Sequence, residues 1–578
     1  MLDNDLLLLP APERIEYHAG WCALPNESRS AWTTTVLDPT LPAQGYVLDI
    51  APDGVRIRAA DPAGMRYAQA TLDQLISRFV TRIPTLTIHD QPRFAVRGVM
   101  LDVSRDRIPT MPEFRRIIAQ LAAWKINHLQ LYVEHTVAYA GHEAVWQGLD
   151  PLTPDELRAL DEICIEHGIE LAANQNCFGH LSGFLKHPAY QHLAEIAPDG
   201  TWDFNGLVTR TGPFSLCPGE PAATTFVADL LAQLCPLIRS PWVNIGCDET
   251  FDVGQGRSRA AVAERGRAAV YLEFLNVVCR LVTSHGKRPQ FWADIALEHP
   301  EAFDQLPPDA LGLAWGYEGD ARFHRWCEQL AAYGRSAWVC PGTSSWRSIT
   351  GRTTERRANL LAATAAVSAS GFLVTDWGDL GHRQQWPIAL HGLAEAAHRA
   401  WSGTAAWDPR CAGLHAGGNP ALGPWLDELG DADRELRLIG GKPKVDEAAE
   451  TDEGDASRLP LRNATALFTD LHLETPYIGS IAQWQALDQR LAELALHQPL
   501  SNSLQVDHEL RHTLAVARFA CSRARARRGD DTIARQSLRP QLAEIIAQHQ
   551  QLWLARSRAG GLAASCRHYE AIFTGLPS

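Results

Sequence analysis

The chain has 578 residues, 46% of them hydrophobic and 21% charged, a balance that fits a folded globular protein with more than one core. Its formal net charge of -14 argues against nucleic acid, which needs a basic surface to neutralise phosphates, and against anionic membranes. No stretch approaches the roughly 18 uncharged apolar residues of a membrane span.

The opening "MLDNDLLLLPAPE" has too short an apolar run, and no basic start, for a secretory signal. The 12 cysteines are scattered through apolar segments and form no CxxC pair. They are expected to be small core residues in a reducing, cytoplasmic setting, where the sequons at Asn26 and Asn463 carry no weight. Residues 1–92 hold short strand-like runs ("GYVLDI", "GVRIRA", "PTLTIHD") around the helical "AGMRYAQATLDQLISRF", which predicts a small α+β domain.

A regular alternation then begins. "RGVMLDV" reads as a strand buried on both faces. It leads into "TMPEFRRIIAQLAAW", where Thr110 and Glu113 form a predicted capping box with Pro112 in the first turn. "NHLQLYV" is a second strand, and a second box at Thr153 opens a helix that Gly168 closes. "IELAAN", "WVNIGC", "KRPQFWA", "ALGLAW", "RSAWVC" and "GFLVTD" complete eight strand–helix units, which predicts a (β/α)8 barrel over 93–403. A doubly wound open sheet is the alternative, but it should carry a glycine phosphate loop. "GQGRSR" lacks the third glycine, and no GxxxxGK[ST] occurs. Residues 404–578 pass through the acidic "VDEAAETDEGDAS" into a mainly helical region, where Leu510, Leu514, Ala517 and Cys521 recur at helical spacing.

In such a barrel the chemistry collects at the C-terminal ends of the strands. Strand two ends in Glu134-His135, strand three in "NQNCFGH" with His180, and strand four in Asp248-Glu249. Strand five carries Trp292, strand six Trp315 and Tyr317, strand seven Trp346, and strand eight Trp377 and Asp379. Indoles pack on the apolar face of a pyranose while carboxylates accept hydrogen bonds from its hydroxyls, so the rim suits a sugar. Two rival chemistries lack their residues. "HEAVW" at 142 misses the second histidine of a zinc helix, so no metal or cofactor is expected, and no GxSxG elbow occurs.

With "RGVMLDVSRDRIPT", "NHLQLYVEHTVAYAGHE", "NQNCFGHLSGFLKHPAY" and "IGCDET" in this order, about residues 1–400 resemble glycoside hydrolase family 20, in its branch without secretion signals. The resemblance implies an exo-acting β-N-acetylhexosaminidase. In that family the 2-acetamido oxygen of the substrate is the nucleophile, an exception to the usual two-carboxylate scheme. Glu249 then corresponds to the acid/base and Asp248 to the group orienting the acetamido N–H, with the charge of Asp248 expected to help keep Glu249 protonated. Arg97 matches the family arginine on the sugar hydroxyls, and His180 the histidine near the acid, with Glu134 or His135 as its acidic partner's counterpart. Trp292, Trp315 and Trp377 should wall the pocket, with Asp379 on a hydroxyl.

Two departures stand out. Cys247 replaces a glycine, and no tyrosine follows strand seven, which leaves Tyr317 as the candidate for the acetamido carbonyl. The resemblance implies a glycan with a terminal N-acetylhexosamine as the partner, and the helical region is expected to pack on the barrel or to form a homodimer interface. A conventional retaining glycosidase and a non-catalytic sugar-binding barrel are the alternatives.

Overall fold

The computed structural model describes residues 6–24, 32–105, 107–440, 460–472 and 478–576; the acidic stretch at 445–457 lies outside them. Strands β1 (Arg14–Ala23), β2 (Thr33–Leu37), β3 (Tyr46–Ala51), β4 (Gly54–Ala59) and β5 (Arg82–Asp90) form one sheet in the order β1-β5-β3-β4-β2. The helix Pro62–Phe79 covers it, with Asp61 accepting from Gly64 N at its start and Tyr67, Leu72 and Leu75 buried on the sheet. β1 and β2 carry no apolar alternation because they are the exposed edges of this sheet.

The expected barrel is present. β6 (Val96–Asp102), β7 (His128–Tyr132), β8 (Glu170–Asn174), β11 (Trp242–Asn244), β12 (Arg288–Trp292), β13 (Leu311–Trp315), β14 (Ala337–Cys340) and β15 (Gly371–Asp376) close a parallel barrel. A hairpin of β9 (Thr201–Phe204) and β10 (Val208–Thr211) interrupts the alternation. Met100, Tyr132, Trp292, Leu313, Trp338 and Leu373 pack in the lumen.

The lumen is not uniformly apolar. Gln130 Oε1 accepts from Asn174 Nδ2 at 3.2 Å and from Asn244 Nδ2 at 3.0 Å, while its Nε2 donates to Gln290 Oε1 at 2.7 Å. All four amides are buried. Asn244 Oδ1 also accepts from Gly246 N at 3.0 Å, which ties this layer to the chain leaving β11.

The C-terminal region is helical and docks on the barrel, with Leu510, Leu514, Ala517 and Cys521 buried in a core shared with Ile349 and Ile388. The second predicted capping box, Thr153 with Glu156, is complete. The first is only half formed: Thr110 Oγ1 accepts from Glu113 N at 3.4 Å, but Thr110 N–H donates to Arg556 O at 3.0 Å. The Glu113 carboxylate pairs instead with Arg116 and with Arg556, the latter at 2.8 Å. A long-range contact has replaced the local one.

Candidate active site

β11 stops after three residues, and its chain then turns sharply: Gly246, Cys247 and Glu249 all have positive φ, at 70°, 73° and 50°. A Cβ on Gly246 would stand 2.0 Å from Asn176 Oδ1, so glycine is required there on two counts. Cys247 adopts the left-handed region that L-residues disfavour, buried, with its carbonyl accepting from Tyr271 Oη at 2.9 Å. Glu249 N–H donates to Asp294 Oδ2 at 3.0 Å. This strained turn sends Asp248 and Glu249 into one pocket at the C-terminal mouth of the barrel.

His180 stands against both acids. Its Nε2 is 3.3 Å from Asp248 Oδ2 and 3.4 Å from Glu249 Oε2, and its Nδ1 is 3.5 Å from Glu134 Oε1. Burial opposes the imidazolium, but Asp248 first, and then Glu134 and Glu249, raise the His180 pKa well above its ordinary value. Burial also works against the Glu134 carboxylate, yet Arg105 and His180 hold its pKa down at about 2. Glu134 is thus the acidic partner of His180. His135 turns away, its ring seated against Gly183 rather than lining the pocket.

The pocket is lined by Trp292, Trp315, Tyr317, Trp346 and Trp377 together with His180, Asp248, Glu249 and Asp379. Tyr317 is the centre of this wall: it stacks on Trp315 at 5.3 Å, meets Trp346 edge-on at 4.6 Å, and accepts a hydrogen bond from Trp377 Nε1 at 2.8 Å. Although Tyr317 follows β13, its ring lies over the chain after β14, where a Cβ on Gly342 would come within 2.9 Å of it. The glycine of "CPGTSSW" therefore admits, from the neighbouring strand, the tyrosine that this loop lacks.

Arg97 does not reach the pocket. It begins β6 at the opposite mouth, fully buried, where Nε donates to Lys125 O at 2.8 Å and Nη1 to Phe94 O at 2.7 Å and Gln44 Oε1 at 3.0 Å. Its guanidinium lies 5.0 Å from the Tyr67 ring and 4.8 Å from the Trp401 ring, joining the N-terminal sheet to the barrel floor. At about 3.3 Å per residue, β6 puts some 17 Å between Arg97 and its far end at Asp102. The arginine in the pocket is Arg105, three residues beyond that end. It reaches Asp102 Oδ2 at 2.9 Å, Asp379 Oδ1 at 3.3 Å and Glu134 Oε1 at 3.6 Å, over the faces of Tyr132 and Trp377. The strand-end rule, applied to strand one as to the others, points to it.

Sequence reasoning also missed Arg210 of β10, which lies 3.8 Å over the Phe204 ring, and Asn463, which lines the pocket from the C-terminal region. The charges correct one expectation. Burial raises the Glu249 pKa, but His180, Arg210 and Arg105 outweigh burial and lower it from its ordinary value.

The description "Glycosyl hydrolase family 20, domain 2" matches residues 13–91, and "Glycosyl hydrolase family 20, catalytic domain" matches residues 94–344. The chain belongs to glycoside hydrolase family 20. Within the family it is similar to a beta-hexosaminidase of Akkermansia muciniphila, 26% identical over 45% of this chain and 58% of that protein. A beta-hexosaminidase of Vibrio furnissii is 24% identical over 50% of this chain and 51% of that protein. The chain thus spans between half and three fifths of these relatives' length. The fold is that of the Flavobacterium johnsoniae chitobiase structure, with a TM-score of 0.59 at 17% identity, covering 94% of this chain and 96% of that one. The family 20 catalytic match ends at Ser344, so Trp346, Trp377, Asp379 and Asn463 lie beyond it.

Proposed function

We propose that the protein is an exo-acting β-N-acetylhexosaminidase that removes terminal β-linked GlcNAc or GalNAc from glycans by substrate-assisted, retaining hydrolysis. The observation that carries this is the β11 turn, which presents Asp248 and Glu249 together to one histidine and faces both toward an aromatic cage. Asp248 accepts the acetamido N–H, Tyr317 Oη donates to its carbonyl, and the indoles fix the group beneath the anomeric carbon. Arg105 and Asp379 bind ring hydroxyls.

His180, whose pKa is raised chiefly by Asp248, stands beside Glu249 as a proton donor, while the Glu249 pKa is lowered chiefly by His180. An acetamido N–H that donates to Asp248 competes with the imidazolium for that carboxylate and weakens its hold on the His180 proton. The proton then passes from Nε2 to Glu249 Oε2 over 3.4 Å, and from there to the leaving oxygen. Glu134 fixes the ring for that transfer, and Glu249 returns as base for the attacking water. The twelve buried free thiols support a reducing, cytoplasmic setting.

Hydrolysis of chromogenic β-GlcNAc, β-GalNAc and β-glucosides tests the proposal. Activity on the N-acetyl sugars alone is expected. Equal activity on the β-glucoside points to a conventional nucleophile, and no activity on any of the three to a sugar-binding barrel.

A further inference from the structure

Asn463 lies beyond the family 20 catalytic match, in the C-terminal region, yet lines the same pocket as Asp248 and Glu249. Its position is built rather than incidental. Arg462 forks onto Asp320 at 2.9 and 2.8 Å, and Asn463 N–H donates to Glu318 Oε1. Glu318 is itself gripped by Arg352 Nη2 at 2.9 and 3.0 Å, and Thr465 N–H donates to Arg347 O at 2.9 Å. Three residues in succession from 318 onward, Glu318, Gly319 and Asp320, thus present two carboxylates to the incoming segment at the end of β13, beside Tyr317.

The backbone at Asn463 has φ of 51°, a left-handed conformation that asparagine tolerates better than most residues. Its Oδ1 is buried and accepts no hydrogen bond among the described residues. A buried amide oxygen without a donor is costly, and one facing a polar pocket is the kind of group a ligand satisfies. The lining of this pocket otherwise draws its hydroxyl-binding side chains from Arg105 and Asp379, which are already engaged with each other at 3.3 Å.

We propose that Asn463 is a substrate-binding, specificity-determining residue: its Oδ1 accepts from a ring hydroxyl of the N-acetylhexosamine, which makes the C-terminal region part of the active site. The proposal rests on the hexosaminidase reading above. The chemistry required of the ligand is a hydroxyl donor, and the amide Nδ2 is left to donate to a second oxygen of the same sugar.

The test uses the full chain with Asn463→Gly, which keeps the left-handed backbone and removes the side chain, and Asn463→Asp, which keeps an acceptor oxygen. The readouts are kcat and KM on aryl β-GlcNAc and β-GalNAc, thermal melting, and KM on the 3-, 4- and 6-deoxy aryl glycosides. Loss of one neutral hydrogen bond predicts a rise in KM of about threefold to tenfold for Asn463→Gly, with kcat little changed and the melting temperature kept. Asn463→Asp should recover part of it. One deoxy substrate should bind wild type more weakly, by a similar factor, but bind Asn463→Gly no worse than the parent sugar. Wild-type activity with an unchanged KM in Asn463→Gly overturns this proposal alone. An inactive wild type overturns the functional reading and this proposal with it.

Discussion

Exchanging the roles of two arginines makes a sharp test. Arg105→Met should cripple hydrolysis, while Arg97→Met should leave each folded molecule as active as wild type. Arg105 bridges three carboxylates, of which Asp102 is buried and Asp379 is 43% exposed. Breaking one partner of a fully buried pair costs about 3–5 kcal/mol, and the partial exposure here brings that to about 2 kcal/mol. Asp102 limits the cost further: burial has already pushed its pKa up to about 6, against the pull of Arg105, so without the arginine it takes a proton near neutrality. The larger loss falls on the substrate. A hydrogen bond from a charged donor to a sugar hydroxyl is worth about 1.5–3 kcal/mol, so kcat/KM should fall by about 10-fold to 10²-fold, mostly through KM. Arg97 lies outside the pocket lining; its loss leaves Lys125 O and Phe94 O without their donor and costs stability instead. Both variants are assayed at a temperature where circular dichroism reports them folded. A fall in kcat/KM for Arg97→Met matching that of Arg105→Met, at an unchanged melting temperature, would refute the reasoning.

Glu249→Gln should lose about 10²–10⁴-fold on poor leaving groups and less on good ones, because general acid help scales with the need for protonation; equal losses point to another acid. Asp248→Asn should lower kcat more than binding, a thiazoline analogue of the N-acetyl sugar should inhibit, and a fluorosugar should label no carboxylate by mass spectrometry. Gly342→Ala puts a methyl group 2.9 Å from the Tyr317 ring, so kcat/KM on N-acetyl substrates should drop while the melting temperature moves little; unchanged kinetics would remove Tyr317 from the acetamido site. The raised pKa of His180 makes its ion pairs a source of stability that is complete below about pH 6.5 and lost as pH rises through the higher folded value. The melting-temperature gap between wild type and His180→Gln should therefore be widest near pH 6 and narrow on the alkaline side; a gap that grows with pH contradicts the assignment.

What could be read in one dimension, and what could not, divides by the range of the contact that decides it. The barrel strands were legible because each is buried on both faces and bounded by turn residues, and the strand-end rule then turned that list into a ring of side chains. β1 and β2 escaped because an exposed edge strand needs no apolar pattern. The buried amides of Gln130, Asn174, Asn244 and Gln290 look like interruptions of apolar runs, and only closure of the barrel brings them together.

Side-chain direction was the harder matter. Glu134 and His135 are neighbours in sequence, yet one pairs with His180 and the other packs on Gly183. Arg97 and Arg105 flank the same strand, and the choice between them rests on strand polarity rather than on likeness: chemistry gathers where the strands end, so the arginine before the strand was the wrong one. Asn463 had no signal at all, because the carboxylates that hold its segment, Glu318 and Asp320, lie more than a hundred residues away. Tyr317 could be picked out as the tyrosine after β13, but not where its ring would lie, which is over Gly342 beyond the end of β14. Where a side chain ends up at the mouth of a closed barrel therefore depends on the room that the neighbouring strand end leaves for it, as Gly342 leaves room for the Tyr317 ring.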